Sequence, residues 1–241
     1  MAIYAGKNAR LYIGGYDIGA LAAGINSVRE KEYKQYSVLD GSDGYHYMPI
    51  IGKDTISIDG IFDDNYTTVL NSLRTSSTGY QVIIPFGVTQ GDRTWACNSA
   101  RLGKYNVTSV VTDINKVTFD LVVDTIPFDE CKSLHPAATR TTSSNGSSIN
   151  ESAGSSSGSV GYLQIWSLGA NDTLAVKIQH STNDTNWSDL ITFTTLDGAS
   201  ATYTSERKTT SSTVNQYIRA AWTFGGVSPY TGTFIVAWKR V

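Results

Sequence analysis

The three histidines of this 241-residue chain are the residues best suited to acid–base or metal chemistry near neutral pH. His46 lies in a predicted hairpin, His135 in a segment rich in small residues, and His180 in a predicted strand. Because a metal or a nucleophile needs partners close in space, we interpret each histidine as an exposed or half-buried bystander. No Gly-x-Ser-x-Gly motif stands between a predicted strand and a predicted helix. The sequence therefore predicts no catalytic residue, no cofactor and no metal site, and the chain is not expected to be an enzyme.

Two kinds of oxygen-rich cluster leave alternatives open. Residues 40–44 and 183–186 place Asp and Asn side chains in tight turns. These side chains either bind Ca²⁺ or only stabilise the turn. Neither segment has the acidic spacing of an EF-hand. The pairs Asp63–Asp64 and Asp129–Glu130 have the composition of carboxylate pairs for general acid–base work. The first pair is also explained as a helix cap and the second as the edge of a domain.

The composition excludes several classes of partner. The formal net charge is -2 and the basic residues form no cluster, so no surface for binding nucleic acid is expected. Cys97 and Cys131 fit neither a CxxC pair nor a four-ligand zinc site, which predicts buried free thiols. The first residues lack the features of a signal peptide, and no apolar run is long enough to span a membrane. We therefore expect synthesis in a cytoplasm and no membrane partner.

The patterning predicts a mainly β fold. Gly14–Gly15, between two short apolar runs, predicts a two-residue hairpin turn because both positions accept a positive φ. Residues 28–36 are polar on both faces if extended, and the chain reverses at 40–44, which predicts that residues 28–50 form a long hairpin that projects from the body and needs a partner. The spacing of Val69 and Leu73 after the Asp63–Asp64 pair predicts one short α-helix packed on a sheet.

Three segments follow from the composition along the chain. Residues 1–128 are predicted to form a sheet domain with the helix, residues 129–159 a flexible linker, and residues 160–241 a β-sandwich of six or seven short strands. The linker is predicted because Ser, Thr, Gly and Ala dominate it and offer little apolar surface to bury. Deletion of residues 132–241 is accordingly expected to leave the first domain able to assemble.

The four tryptophans of the last segment have two interpretations, core packing or stacking on a sugar. Trp238 follows the alternation of a core strand, whereas Trp187 lies in a loop of Asn, Asp and Ser. Trp187 is therefore the candidate for contact with a surface ligand, and core packing is the alternative.

The order of these features resembles a major tail tube protein of long-tailed, siphovirus-like bacteriophages. In the first domain the resemblance rests on Ile56–Asp64, Val82–Gly87 and Gly91–Arg93. In the second domain it rests on stretches similar to an appended Ig-like or decorating β-sandwich: Lys177–Gln179, Ile191–Thr194 and Tyr217–Trp222. The resemblance covers nearly the whole chain and lies in patterns of strands rather than in a catalytic signature. It implies a tail-tube sandwich or barrel sheet followed by a decoration domain.

The resemblance implies a structural virion protein of the phage tail, made in the host bacterial cytoplasm. Proteins of this family form hexameric rings that stack into a hollow tube around a tape-measure protein, contact other tail proteins, and conduct double-stranded DNA without binding it specifically. The second domain is expected on the tail exterior, with host-surface glycans as a candidate partner. Mixed charges on the long hairpin suit contacts between subunits or rings, which we expect at Arg29, Glu30, Lys31, Glu32, Tyr33, Lys34, Tyr36, Asp40, Asp43, Tyr45 and Tyr47.

Two other functions remain open at this stage. One is a carbohydrate-binding adhesin that uses Trp187, and the other is a different virion role, such as a tail terminator or a head decoration protein.

Overall fold

The computed structural model describes residues 9–18, 22–29, 33–36, 46–49, 54–61, 71–76, 78–109, 115–124 and 128–241. The fold is mainly β, as the sequence predicts, and its sheets are antiparallel. The chain forms two compact units, which divide it differently from the predicted domains. Unit 1 takes its residues from 1–20, 80–98 and 129–241, and unit 2 from 21–79 and 99–128.

Nineteen strands lie in the described part of the chain. In order they are β1 (Tyr12–Ile13), β2 (Tyr16–Asp17), β3 (Ala22–Arg29), β4 (Tyr33–Tyr36), β5 (His46–Pro49), β6 (Asp54–Ile61), β7 (Tyr80–Pro85), β8 (Arg93–Thr108), β9 (Lys116–Val123), β10 (Asp129–Arg140), β11 (Ser144–Asn145), β12 (Ile149–Asn150), β13 (Ser159–Leu168), β14 (Asp172–Ser181), β15 (Ser188–Thr192), β16 (Leu196–Asp197), β17 (Thr204–Thr210), β18 (Tyr217–Gly226) and β19 (Gly232–Arg240).

Unit 1 is a β-sandwich extended by an N-terminal hairpin. Its first sheet has the order β17-β13-β19-β10-β8-β7-β1-β2, and its second sheet has the order β11-β18-β14-β15, with β12 beside β18 and β16 beside β14. Alternate apolar residues of β14, such as Leu174 and Ile178, pack between the two sheets with Trp222 and Phe234. The predicted sandwich is therefore present, although it begins before residue 160.

The first sheet of unit 1 buries both of its faces around β13. Leu163 packs into the core between the sheets, whereas Tyr162 packs on the opposite face with Tyr12 of β1 and Ile83 of β7. Because the β1–β7 end of the sheet covers that face, every residue of Phe234–Trp238 in β19 is buried. The sequence alternation predicts only one core face for β19.

Gln164 of β13 holds the N-terminal hairpin through polar contacts. Its side chain is fully buried, and its Nε2 donates to the carbonyl oxygens of Tyr12, at 3.2 Å, and Gln81, at 3.1 Å. Its Oε1 accepts from the backbone N–H of Gly15 at 3.2 Å. The predicted turn is confirmed, with φ of 57° at Gly14 and 89° at Gly15.

Residues 129–159 are not the flexible linker that the sequence predicts. Residues 129–140 form β10, which pairs with β8 on one side and β19 on the other, and β11 and β12 pair with β18. The order comes from backbone hydrogen bonds and from a few buried anchors, Cys131 and Leu134 among them, rather than from overall apolar content. A deletion of residues 132–241 would remove these pairings, and the assembly of such a truncated chain stays a prediction.

Unit 2 contains a four-stranded antiparallel sheet in the order β3-β6-β9-β8, to which β8 contributes residues 100–108. Ile56 and Ile58 of β6 and Phe119 and Leu121 of β9 are fully buried and form the centre of its apolar face. Residues 71–75 are α-helical, in agreement with the end of the predicted helix, while residues 62–70, including Asp63–Asp64, lie outside the described part of the chain. No helix within the described residues is long and apolar enough to cross a membrane.

Candidate assembly interface

The sheet of unit 2 ends in two strands that have a described partner on one side only. β3 pairs with β6, and residues 104–108 of β8 pair with β9; no other described strand is in register with either segment. A strand with an unpaired edge exposes backbone N–H and C=O groups to pairing with another chain. These two edges are therefore candidate surfaces for assembly.

A row of apolar side chains crosses this sheet from edge to edge. The register places Ile25 beside Ile58, Ile58 beside Phe119, and Phe119 beside Tyr105. Ile58 and Phe119 at the centre are fully buried, Ile25 is half-buried, and Tyr105 at the β8 edge remains 40% exposed. The apolar face is thus covered at its centre and incompletely covered at its rim.

Val107 strengthens this interpretation of the β8 edge. It lies opposite the fully buried Val117, on the same face as Tyr105, and is 39% exposed. Exposed apolar residues scattered singly need no explanation, but two that continue a buried row, on an edge without a second described partner strand, indicate a contact surface. Sequence reasoning missed this pair, because an edge strand and a central strand have the same alternation.

The long hairpin of the sequence analysis is present as a two-stranded ladder. β4 pairs with β5 in a register that places Tyr33 opposite Pro49 and Tyr36 opposite His46. Among the predicted contact residues, Arg29 ends β3, Tyr33, Lys34 and Tyr36 lie in β4, and Tyr47 lies in β5. The others lie outside the described residues: Glu30, Lys31, Glu32, Asp40, Asp43 and Tyr45. A role for these eleven residues in assembly stays a prediction.

The edge strand β17 of unit 1 is covered by side-chain contacts. Glu206 accepts hydrogen bonds from the backbone N–H of Thr194, at 2.7 Å, and from its hydroxyl, at 2.9 Å. Lys208 donates to the carbonyl oxygen of Thr192 at 2.9 Å. Charged residues on an edge strand oppose pairing with another chain. This edge of the sandwich therefore differs in character from the edges of unit 2.

Trp187, the predicted ligand contact, is half-buried in unit 1. The guanidinium of Arg219 lies 4.1 Å from the centre of its ring and donates from Nε and Nη2 to Oε1 of Gln179, at 3.0 and 2.9 Å. One face of the indole is therefore covered by the protein itself, and a ligand contact at Trp187 stays a prediction. The adjoining 183–186 turn is closed by Asn183, whose Oδ1 accepts from the backbone N–H groups of Thr185 and Asn186.

Asp129, the first residue of the 129–241 segment of unit 1, lies in a buried polar cluster. Its carboxylate accepts from the Tyr162 hydroxyl at 2.5 Å and from Lys239 Nζ at 2.8 Å. Arg207 Nε donates to the same hydroxyl at 3.1 Å. Burial raises the pKa of Tyr162, and the hydrogen bond to Asp129 raises it further, so the phenol stays protonated. The cluster joins four adjacent strands of the first sheet.

His135 and the two cysteines are core residues of unit 1. His135 is 1% exposed, and its ring stacks on Phe234 with 4.2 Å between centres, so the expectation of an exposed or half-buried bystander is wrong for this residue. Cys97 and Cys131 are buried free thiols, as predicted, and burial raises the pKa of Cys131. Within the described residues, no group of three or more His, Cys, Asp or Glu side chains is placed to hold a metal ion.

Comparison with known proteins gives matches only among solved structures. No family model matches the chain, and no curated protein matches it. A chain of the PVC sheath–tube complex, from an extracellular contractile injection system, is similar over 53% of this chain and 92% of the matched chain, at 14% identity and a TM-score of 0.43.

Two further structures match nearly the whole chain. The Dit protein of phage SPP1, a hub protein of the adsorption apparatus, is 14% identical over 96% of this chain and 99% of its own, with a TM-score of 0.38. The baseplate of phage p2 is 9% identical over 97% of this chain and 98% of the matched chain, with a TM-score of 0.31. Because each TM-score is below 0.5, these matches assign no role to the chain.

Proposed function

We propose that this chain is a structural protein of a phage tail that forms closed rings through the sheet of unit 2. The observation that carries the proposal is the apolar row across that sheet, which is buried at Ile58 and Phe119 and exposed at Tyr105. A neighbouring copy placed beside β8 would cover Tyr105 and Val107 and would pair the backbone groups of β8 that have no partner among the described strands.

The strand directions favour a head-to-tail arrangement of copies. All three pairings in the sheet are antiparallel, so the two edge strands, β3 and β8, run in opposite directions. β3 of one copy can therefore continue the antiparallel pattern beside β8 of the next copy. A contact between two different surfaces closes into a ring when the rotation per copy allows it. Six copies would give a barrel of roughly two dozen strands, wider than those that already leave an aqueous channel.

The full proposal follows the resemblance found in the sequence. Rings, hexameric in this proposal, stack into a tube around a tape-measure protein, and double-stranded DNA passes through without being bound. A net charge of -2 suits passage, because phosphate binding requires clustered lysine and arginine. The hairpin formed by β4 and β5 contributes contacts between rings, and the sandwich is displayed on the tail exterior.

The proposal is tested by placing a charge on the open β8 edge. Val107→Lys is expected to prevent ring formation, because the ammonium group would be buried against the next copy at a cost of roughly 3 kcal/mol, or roughly 100-fold in the association constant of each contact. Native mass spectrometry and negative-stain microscopy of the full chain measure the outcome. Wild-type protein should give closed rings or stacked tubes, and the variant a folded monomer.

Val227→Lys is the matched control. Val227 is 76% exposed in unit 1 and distant in sequence from the sheet of unit 2, so the same substitution there should leave the rings intact. A wild-type chain that stays monomeric at high concentration would contradict the proposal, as would rings that persist in Val107→Lys. Tubes formed by the purified protein would also exclude most terminator and head-decoration roles.

A further inference from the structure

A cavity of about 460 Å³ opens in unit 1, between the turn that follows β7, the strand β10 and the segment after β10. The amide of Gln90 in the turn donates to the carbonyl oxygen of Ser147, which holds the two walls together. His135, Arg140 and Trp222 are among the residues that line the cavity. Its volume falls in the range of small-molecule sites in proteins.

Arg140 supplies a cation that no carboxylate neutralises among the described residues. Its Nε donates to Nε2 of His135 at 2.8 Å, and its guanidinium lies 5.1 Å from the centre of a Trp222 ring. His135 accepts through Nε2, so that nitrogen carries no proton and the imidazole is neutral. The described salt bridges do not include Arg140, although it is half-buried. An unneutralised guanidinium in a cavity is a ready partner for an oxyanion, which it binds through paired N–H groups.

Apart from Arg140 and His135, the lining combines apolar and uncharged polar residues, and no acidic residue lines the cavity. The apolar residues include Val88, Leu134, Pro136 and Trp222, and the residues with hydroxyl or amide side chains are Thr89, Gln90, Thr142, Ser144, Asn145 and Ser147. Such groups form hydrogen bonds with the hydroxyls of a polyol as both donors and acceptors. Arg140 therefore favours a ligand with a negatively charged group. The hydroxyl and amide side chains of the lining favour a ligand that also carries hydroxyl groups.

We propose that this cavity binds a small polyhydroxylated anion, of the class of sugar phosphates and uronic acids, with its oxyanion on Arg140. This site is distinct from Trp187 and does not depend on ring formation. It uses residues 142–147, which the sequence assigns to a flexible linker and which the structure orders through β11 and its pairing with β18.

The test is isothermal titration of the full chain with four probes: glucose 1-phosphate, glucuronate, glucose and inorganic phosphate. At least one of the two sugar anions is expected to bind with a dissociation constant of about 1 mM or tighter. Arg140→Gln should weaken that binding at least tenfold, since a charge-assisted hydrogen bond is lost. Binding should also weaken as salt is raised, because Arg140 is only half-buried.

Arg219→Gln is the matched control for this substitution. Arg219 also lies over a tryptophan and also donates to a neutral side-chain acceptor, but it does not line the cavity. It should leave the affinity within twofold of wild type. Circular dichroism establishes that both variants are folded, and Arg140→Lys, which keeps the charge, should retain part of the binding.

Four results would overturn the proposal. One is no saturable heat with either sugar anion, and a second is equal affinity for neutral glucose, which would remove the role of the charge. The third is inorganic phosphate binding as tightly as glucose 1-phosphate, which would show that the sugar contributes nothing to the affinity. Binding that survives in folded Arg140→Gln would equally contradict the assignment of the oxyanion to Arg140.

Discussion

Replacing Gln164 with methionine is expected to lower the free energy of unfolding of unit 1 by about 3 kcal/mol. Methionine has a similar volume but cannot form hydrogen bonds of comparable strength, so the backbone N–H of Gly15 would lose its acceptor inside the protein. The carbonyl oxygen of Gln81 keeps the N–H of Gly14 as a donor, so its loss is smaller. The unpaired N–H of Gly15 and the two lost hydrogen bonds to the carbonyl oxygens of Tyr12 and Gln81 together account for the expected loss of about 3 kcal/mol.

Tryptophan fluorescence during urea denaturation measures this change. All five tryptophans belong to unit 1, so the signal reports that unit alone. Gln216→Met serves as the control, since the Gln216 amide makes its bond to Asn150 at the surface; a change within about 0.5 kcal/mol is expected there. Equal stabilities of the two variants would show that the contacts of Gln164 to the hairpin contribute little.

The variant Gln164→Glu tests whether lost hydrogen bonds, rather than altered packing of the side chain, lower the stability of unit 1. A carboxylate could still accept from Gly15, but it would face the carbonyl oxygens of Tyr12 and Gln81 without an N–H to offer. This variant should therefore be less stable than Gln164→Met at neutral pH, because it buries a charge without a donor. A glutamate variant as stable as wild type would be inconsistent with the described contacts.

The stability of unit 1 is expected to fall as the pH is lowered, and His135 should account for a large part of the change. Burial, together with the charge of Arg140, lowers the pKa of His135 from 6.5 to about 3. Between these two values the unfolded chain binds the proton and the folded chain does not, so protonation favours unfolding. Stability is thus present above pH 6.5 and is lost as the pH falls toward 3, with about 2 kcal/mol lost at pH 5.

The comparison of wild type with His135→Gln isolates this contribution. Glutamine cannot take up a proton in this range and offers an oxygen to Arg140 in place of Nε2. The variant should therefore lose about 2 kcal/mol less than wild type between pH 7 and pH 5, measured by urea denaturation at each pH. His180→Gln is the control: burial also lowers the pKa of His180, but that residue is only half-buried and its contribution should be smaller. Identical pH dependence in wild type and His135→Gln would refute the assignment.

Local patterns predicted the elements that depend on neighbouring residues. The Gly14–Gly15 turn, the ladder of β4 and β5, and the strands of the sandwich follow from turn chemistry and alternation, and they are present. Free, buried cysteines followed from their spacing. These features can be predicted from the sequence because their physical causes act over a few residues.

The sequence predicted the candidate assembly edge of β8 only in part. The exposure of Tyr105 and Val107 depends on which strands lie beside β8, and turn chemistry and alternation do not predict that arrangement. In the same way, the cavity around Arg140 requires three segments of the chain to meet, and no one of them carries a motif. Binding surfaces made by distant segments leave little trace in any one segment.

By itself, the sequence determined the β class and the turn at Gly14–Gly15. Only the tertiary structure decided the state of residues 129–159 and the attachment of the N-terminal hairpin. The physical reason is the same in both cases. Backbone hydrogen bonds with β8, β18 and β19 order a segment poor in apolar residues, and one buried amide, Gln164, holds the hairpin from more than 140 residues away in the chain. Such long-range polar contacts depend on position in the fold and leave no periodic signal in the residues that make them.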